Sequence, residues 1–214
     1  MNERSEAKKE EFCGLFNEFI LGRHGADNLL GWLEQTDFFI APASTRYHLA
    51  YEGGLCEHSI NVYYRLNNLL YVSGEYDLYS KTETVAIVSL LHDVCKAECY
   101  IPAFRNRKNY SQQAISKADK KDIKHDLGGD FVWECEQTYE FDELFTYGHG
   151  EKSVLLIQDH MRLTHEEAQA IRYHMGTWNT DDSRSVGKVY ENNKLAFLLS
   201  VADQMATFID ETGD

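Results

Sequence analysis

The chain has 214 residues, room for one domain with a full apolar core, and its 43% hydrophobic and 26% charged residues exclude a disordered or fibrous chain. Its formal net charge is −14, a field that repels long polyanions and anionic membranes unless metal cations intervene. No run of 18 apolar residues is present, and the charged segment Met1 to Glu11 lacks a leader-like apolar stretch, so the expectation is a cytoplasmic protein with no membrane association. The 5 cysteines are irregularly spaced without a CxxC, which fits reduced, mostly buried thiols better than disulfides or a structural zinc site.

Ser5 to Leu21 places Phe12, Leu15, Phe16 and Phe19 at helical spacing. Asp27 is positioned to cap a short helix through Leu33. The aromatic stretch from Thr36 ends at the turn Gly53-Gly54, and Leu55 to Val72 is helical again. Ser80 or Thr82 is the expected cap of the next helix, whose apolar run Val85 to Leu91 leads into His92-Asp93 and is expected to stay helical through Lys96. Between Ala97 and Gly148 the pattern changes. Residues 105–124 hold seven basic side chains against two acids, and Phe131 to Phe141 partly alternates as a small β-ribbon. The stretch of about 97–148 therefore reads as an insertion, and residues 1–214 as a single all-α domain carrying it. Helices resume near Glu151. Thr164-His165-Glu166-Glu167 has capping-box spacing for a helix through Tyr173, and Asn192 or Asn193 caps a last helix reaching about Ile209.

Two His-Asp dipeptides occur where composition alone gives roughly 0.6. His125-Asp126 lies in a lysine-rich stretch before two glycines and reads as solvated loop. His92-Asp93 ends an apolar run, where two polar groups are costly to bury without partners, and one metal ion would partner both. Asp203 sits in the apolar helix from Leu195 to Ala206, a second carboxylate in need of a partner. His58 follows Gly53-Gly54-Leu55, His149 lies between Gly148 and Gly150, and His174 is near a helix end. Each histidine alone reads as an ordinary packed residue. Taken together, the six residues come from five helical segments, which is how helical proteins assemble a metal centre. His48 reads as a pocket-lining residue and His160 and His165 as helix surface. Cys95 and Cys99 read as packing residues on a shared helix face.

The pattern His58, His92-Asp93, His149, His174, Asp203 resembles the HD-domain metal-dependent phosphohydrolase superfamily, and within it the two-metal branch. His48 to His58 is similar to the family's segment around its first ligand. Leu90 to Lys96 is similar to its HDxxK helix, and Gly148 to Ser153 to a third-ligand motif of some HD hydrolases. The resemblance covers roughly residues 45–208 without the insertion. It implies an HD-domain helical bundle in which His58, His92, Asp93 and Asp203 hold one ion and Asp93 bridges to a second held by His149 and His174. Imidazole and carboxylate ligands suit two divalent transition-metal ions, Mn, Fe, Co, Ni or Zn. The implied activity is hydrolysis of a phosphodiester or nucleotide phosphate by a metal-bridging hydroxide, with Asp93 and Lys96 as the catalytic residues and Lys96 reaching the substrate phosphate. The implied partner is a small phosphoester or nucleotide. Short nucleic acid could also be met by the basic residues 105–124. Two other readings stay open: a mixed-valence di-iron oxygenase of the same fold, and a non-catalytic nucleotide-binding HD module.

Overall fold

The computed structural model describes residues 1–143, 145–178 and 183–212. It is a mostly helical body with one small three-stranded sheet. Helix α1 (Glu3–Phe19) is capped by the Asn2 side chain, which accepts from the Ser5 N–H, and buries Phe12 and Phe16 completely. Helix α2 (Ala26–Gln35) starts after Gly25, so Asp27 lies inside the first turn, where its charge favours the N-terminus, and is not the cap.

Helix α3 (Gly54–Val72) runs through the centre and packs against α1. A Cβ on Gly54 would collide with the Leu49 carbonyl, so this glycine lets the start of α3 lie against the segment that carries His48. After the short α4 (Tyr76–Tyr79), Lys81 occupies the N-cap of α5 (Thr82–Leu91). Ser80 closes α4, and Thr82 is already helical. All residues from Val85 to Leu91 are buried, because α1 and α3 pack around α5.

Helix α5 does not continue to Lys96. His92 is its C-cap, Asp93 leaves the helical region at φ −109° and ψ 15°, and Val94–Lys96 forms a separate 3₁₀ turn. Nothing in local propensity ends the helix here. The break turns Asp93 inward, and it removes the shared helix face expected for Cys95 and Cys99, whose link is instead a Cys99 thiol to Cys95 carbonyl contact of 3.2 Å.

The insertion is a sheet of order β1-β3-β2, built from β1 (Tyr100–Asn109), β2 (Lys124–Asp126) and β3 (Gly129–Phe141), with helix α6 (Gln112–Lys117) between β1 and β2. β1 and β3 pair antiparallel from Tyr100 opposite Phe141 to Asn109 opposite Val132. Pro102 is tolerated because β1 is an edge strand. The sheet also accounts for the basic stretch and changes one expectation. The first half of the basic stretch is strand, its Arg105 and Arg107 both paired with Glu136 and its Lys108 paired with Asp126. His125-Asp126 is strand β2 and not loop, with His125 exposed and held at 2.8 Å by Asp130.

Helix α7 (His149–Gln158) begins at His149 itself, and α8 (His165–Arg172) carries the full capping box between Thr164 and Glu167. α8 packs on both α7 and α10. Helix α9 (Ser183–Asn192), for which no motif was apparent, precedes α10 (Lys194–Met205), which Asn193 caps and which packs on α3. A π-helical turn, Ala206–Asp210, follows, and the Glu211 N–H donates to the Ala206 carbonyl at 3.0 Å. Among the described residues no helix is long and apolar enough to cross a membrane.

Candidate metal centre

The segments that the helical body brings together place His58, His92, Asp93, His149, His174 and Asp203 around one point. His58 comes from α3, His92 and Asp93 from the end of α5, and His149 from the first residue of α7. His174 follows α8, and Asp203 lies in α10. Gly150 makes the approach possible: a Cβ there would collide with the carbonyls of Ile171 and Arg172, so α7 can meet the end of α8 only at glycine. The rings of His149 and His174 consequently lie 5.3 Å apart.

Asp93, 2% exposed, is the hub, and its two oxygens face different histidines. Oδ1 is 2.6 Å from His149 Nε2 and 3.5 Å from His174 Nε2. Oδ2 is 3.6 Å from both His58 Nε2 and His92 Nε2, and 2.7 Å from Lys96 Nζ. On the Oδ2 side, Asp203 Oδ1 lies 3.1 Å from His58 Nε2 and 4.0 Å from His92 Nε2.

The tautomers follow from the surroundings. A carbonyl can only accept, so His92 Nδ1 donates to Ser89 O at 2.8 Å and His174 Nδ1 to Ile171 O at 2.6 Å. His58 Nδ1 donates to the Glu211 carboxylate at 3.0 Å. In the neutral imidazoles, all three Nε2 atoms therefore present lone pairs to the cluster, oriented from behind as metal-ligating histidines usually are. His174 Nε2 is buried without a hydrogen-bond partner, and His58 Nε2 and His92 Nε2 stand only 3.3 Å apart. Two nitrogens bound to one tetrahedral ion would be about 3.3–3.4 Å apart. The donor set fits divalent metal.

Without an ion, protons stand in. Burial lowers the His58 pKa, but Glu211 and Asp203 more than reverse it, to about 10. His149 is likewise raised to about 10, burial being overcome by Cys95 and Asp93. His92 is pushed down to about 4 by burial, despite Asp93. Asp93 is held well below the carboxylate range, since Lys96, His92 and His149 outweigh its burial. Asp203 is depressed by His58 and His92 against its own burial.

Lys96 is not on a helix face with His92. It reaches the site from the 3₁₀ turn, donating to Asp93 and, at 2.9 Å, to the Ala43 carbonyl, while still lining a cleft of about 150 Å³ above the centre. His48 lines that cleft too, its ring tilted by 52° against His58 at 5.1 Å, with neither ring nitrogen hydrogen-bonded and Nε2 3.9 Å from Glu211. His160 stacks on Trp32 away from the centre, and His165 is exposed.

Two neighbours escaped the sequence reading. Glu211 touches His58 only because the π-turn carries it back, and Cys95 Sγ comes within 3.5 Å of His149 Nδ1 only because the chain breaks at Asp93. Neither carries a sequence signal. Among the described residues, four groups of three could each hold an ion: His58-His92-Asp203, His92-Asp93-His174, Asp93-Cys95-His149 and His48-His58-Glu211. No family model matches the chain, and no curated protein or solved structure is significantly similar to it.

Proposed function

We propose that the protein is a metal-dependent phosphohydrolase of the HD type, acting on a phosphodiester or nucleotide phosphate at a two-ion centre. One observation carries this reading: the two oxygens of the buried Asp93 divide the histidines into two sets, His58 and His92 on one side and His149 and His174 on the other. That division supports a carboxylate shared between two cations, although His174 also lies close enough to His92 and Asp93 to share an ion with them. His58, His92, Asp93 and Asp203 would hold the first ion, and His149, His174 and Asp93 the second. Such ions supply a water of lowered pKa and neutralise charge on phosphate oxygens.

The residues of the chain define what can approach. Asp93 is paired with Lys96, and Asp203 and Glu211 with His58, so three carboxylates line the centre, a set that disfavours phosphate until cations intervene. Lys96 is held at the cleft floor by Asp93 and the Ala43 carbonyl, so its charge is fixed where a phosphoryl oxygen would lie. Glu211, Ser89 and Ile171 orient three imidazoles and keep their inward nitrogens unprotonated once an ion is bound.

Metal analysis of the purified protein combined with a phosphoester panel tests the reading. The expected result is about two transition-metal ions per chain and metal-dependent phosphate release. Oxygen uptake by the iron-loaded protein without phosphate release would replace hydrolysis by oxygenation. Metal binding with neither activity would leave a binding module.

A further inference from the structure

Resting on this reading, we propose that the outer part of the same cleft is a nucleobase site. The substrate is then a nucleoside phosphate of mononucleotide size, with its base against Trp178 and Phe208 and its phosphate at Asp93 and Lys96.

The cleft is two-sided. Its floor holds Asp93, Lys96, His174 and Asp203, whereas its outer wall is formed largely by Met175, Trp178 and Phe208. Trp178 is 76% exposed and Phe208 65% exposed. Large aromatic faces left open at a cleft rim add nothing to the core, and they supply the flat, apolar surface on which a base stacks.

Both aromatics are tied to ligand positions through the backbone. Trp178 ends the 3₁₀ turn that follows His174. Phe208 lies five positions after Asp203, and in an α-helix it would point about 140° away from it. The π-turn Ala206–Asp210 accommodates an extra residue, and Phe208 lines the same cleft as Asp203. The deviation from α-helix that brings Glu211 to His58 thus also brings an aromatic ring to the mouth.

The wall chemistry selects among phosphate esters. A polyol or bare sugar needs several donors and acceptors, and beyond the candidate ligands and Lys96 the cleft offers chiefly the His48 ring, Gln204 and Thr207. The Gln204 amide N–H is already committed to Ser200, at 3.0 Å to its carbonyl and 3.2 Å to its hydroxyl. A long nucleic acid meets the field of a chain with net charge −14. A single nucleotide combines one aromatic face with one phosphate and avoids both obstacles.

The test is calorimetric binding of AMP, CMP and ribose 5-phosphate to the full chain purified with its metal, alongside Trp178→Ala, Phe208→Ala and Trp178→Phe. The wild type should prefer both nucleotides to ribose 5-phosphate. Each alanine variant should weaken nucleotide binding by roughly 5- to 150-fold, the range for loss of one base–aromatic stack, with ribose 5-phosphate affinity and metal content unchanged. Trp178→Phe should retain most of the preference. Equal affinity for all three probes, no nucleotide binding, or an unchanged preference in both alanine variants would overturn the base site. Nucleotide preference in a protein that releases no phosphate would sink the hydrolase reading and leave the base site standing. Phosphate release with the same KM from nucleotides and ribose 5-phosphate would do the reverse.

Discussion

The buried charged clusters around Glu167 and around Asp93 are built on opposite principles. Around Glu167, which is fully buried, every acceptor has its donors. Oε1 accepts from Arg23 Nη2 at 3.0 Å and Thr84 Oγ1 at 2.9 Å, and Oε2 from Arg23 Nη1 at 2.6 Å and the Thr164 N–H at 2.8 Å. One guanidinium, the Thr84 hydroxyl and the capping-box N–H satisfy both carboxylate oxygens. Around Asp93 the inventory does not close. With the imidazoles neutral, as metal binding requires, the inward nitrogens of His58, His92 and His174 turn lone pairs to the acceptor oxygens of Asp93 and Asp203. Without an ion His58 and His149 hold protons instead, and His174 Nε2, 3.5 Å from Asp93 Oδ1, makes no hydrogen bond. A satisfied buried network holds a fold together. An excess of convergent acceptors is a demand for cations.

The largest effect expected from breaking this contrast is Asp93→Ala. It should abolish metal content and turnover, whereas His125→Ala, at the exposed His-Asp pair, should change neither. Elemental analysis and phosphate release read both, and equal losses would mean the wrong dipeptide was chosen. Next is the double replacement His149→Ala/His174→Ala. It should leave the protein folded, lower metal from about two ions to about one, and cut turnover by orders of magnitude. Wild-type metal content and rate in that variant would reduce these histidines to packing residues.

The satisfied cluster should respond in stability alone. Arg23→Ala strands the Glu167 carboxylate in the core and should cost about 3 kcal/mol in urea unfolding, with metal content unchanged. The sign of its pH dependence follows from the folded state. Burial raises the Glu167 pKa, but Arg23, the Thr164 N–H and Thr84 bring it below its ordinary value of about 4.5. Its contribution is therefore complete above that value and fades as pH falls through the lower folded one. The stability gap between wild type and Arg23→Ala should narrow in acid, and a gap that widens would contradict the assignment.

A smaller effect should come from Glu211→Gln, which keeps the shape but weakens the charge behind His58. Loss of such an outer partner typically lowers metal affinity by about 10- to 100-fold, readable by chelator competition. The smallest is the triple replacement of Arg105, Arg107 and Lys108 by Ala. These cations already face Glu136 and Asp126 on an exposed sheet, so KM for nucleotide or short nucleic acid substrates should rise by no more than about fivefold.

The helical body was legible because it follows period and capping: Phe12 and Phe16 on α1, the capping box at Thr164 and Glu167, and the Asn193 cap of α10 are all local signals. That His92, Asp93 and Asp203 belong to a polar cluster was legible because such groups in apolar helical runs require partners, whereas His58, His149 and His174 joined the candidate set only by their combination and the family resemblance. Less was visible where a contact overrides local preference. Val85 to Leu91 contains no stop, yet the helix ends there and Asp93 turns in among imidazoles and Lys96, contacts that the local sequence does not record. Strand β1 was hidden by its charges, since Arg105 and Arg107 belong in a strand only once Glu134 and Glu136 lie across from them.

By itself, then, the sequence determined the apolar faces of the long helices, the caps at Thr164 and Asn193 and which polar groups could not remain unpartnered in a core. All of these depend on residues a few positions apart. Only the tertiary structure decided that Asp93 turns one oxygen to each pair of histidines, that Glu211 stands behind His58, and that Trp178 and Phe208 share one cleft with Lys96. The physical reason is distance along the chain. Glu211 and His58 are 153 residues apart, and no local preference records a contact made only after α3, α5, α7, α8 and α10 have packed.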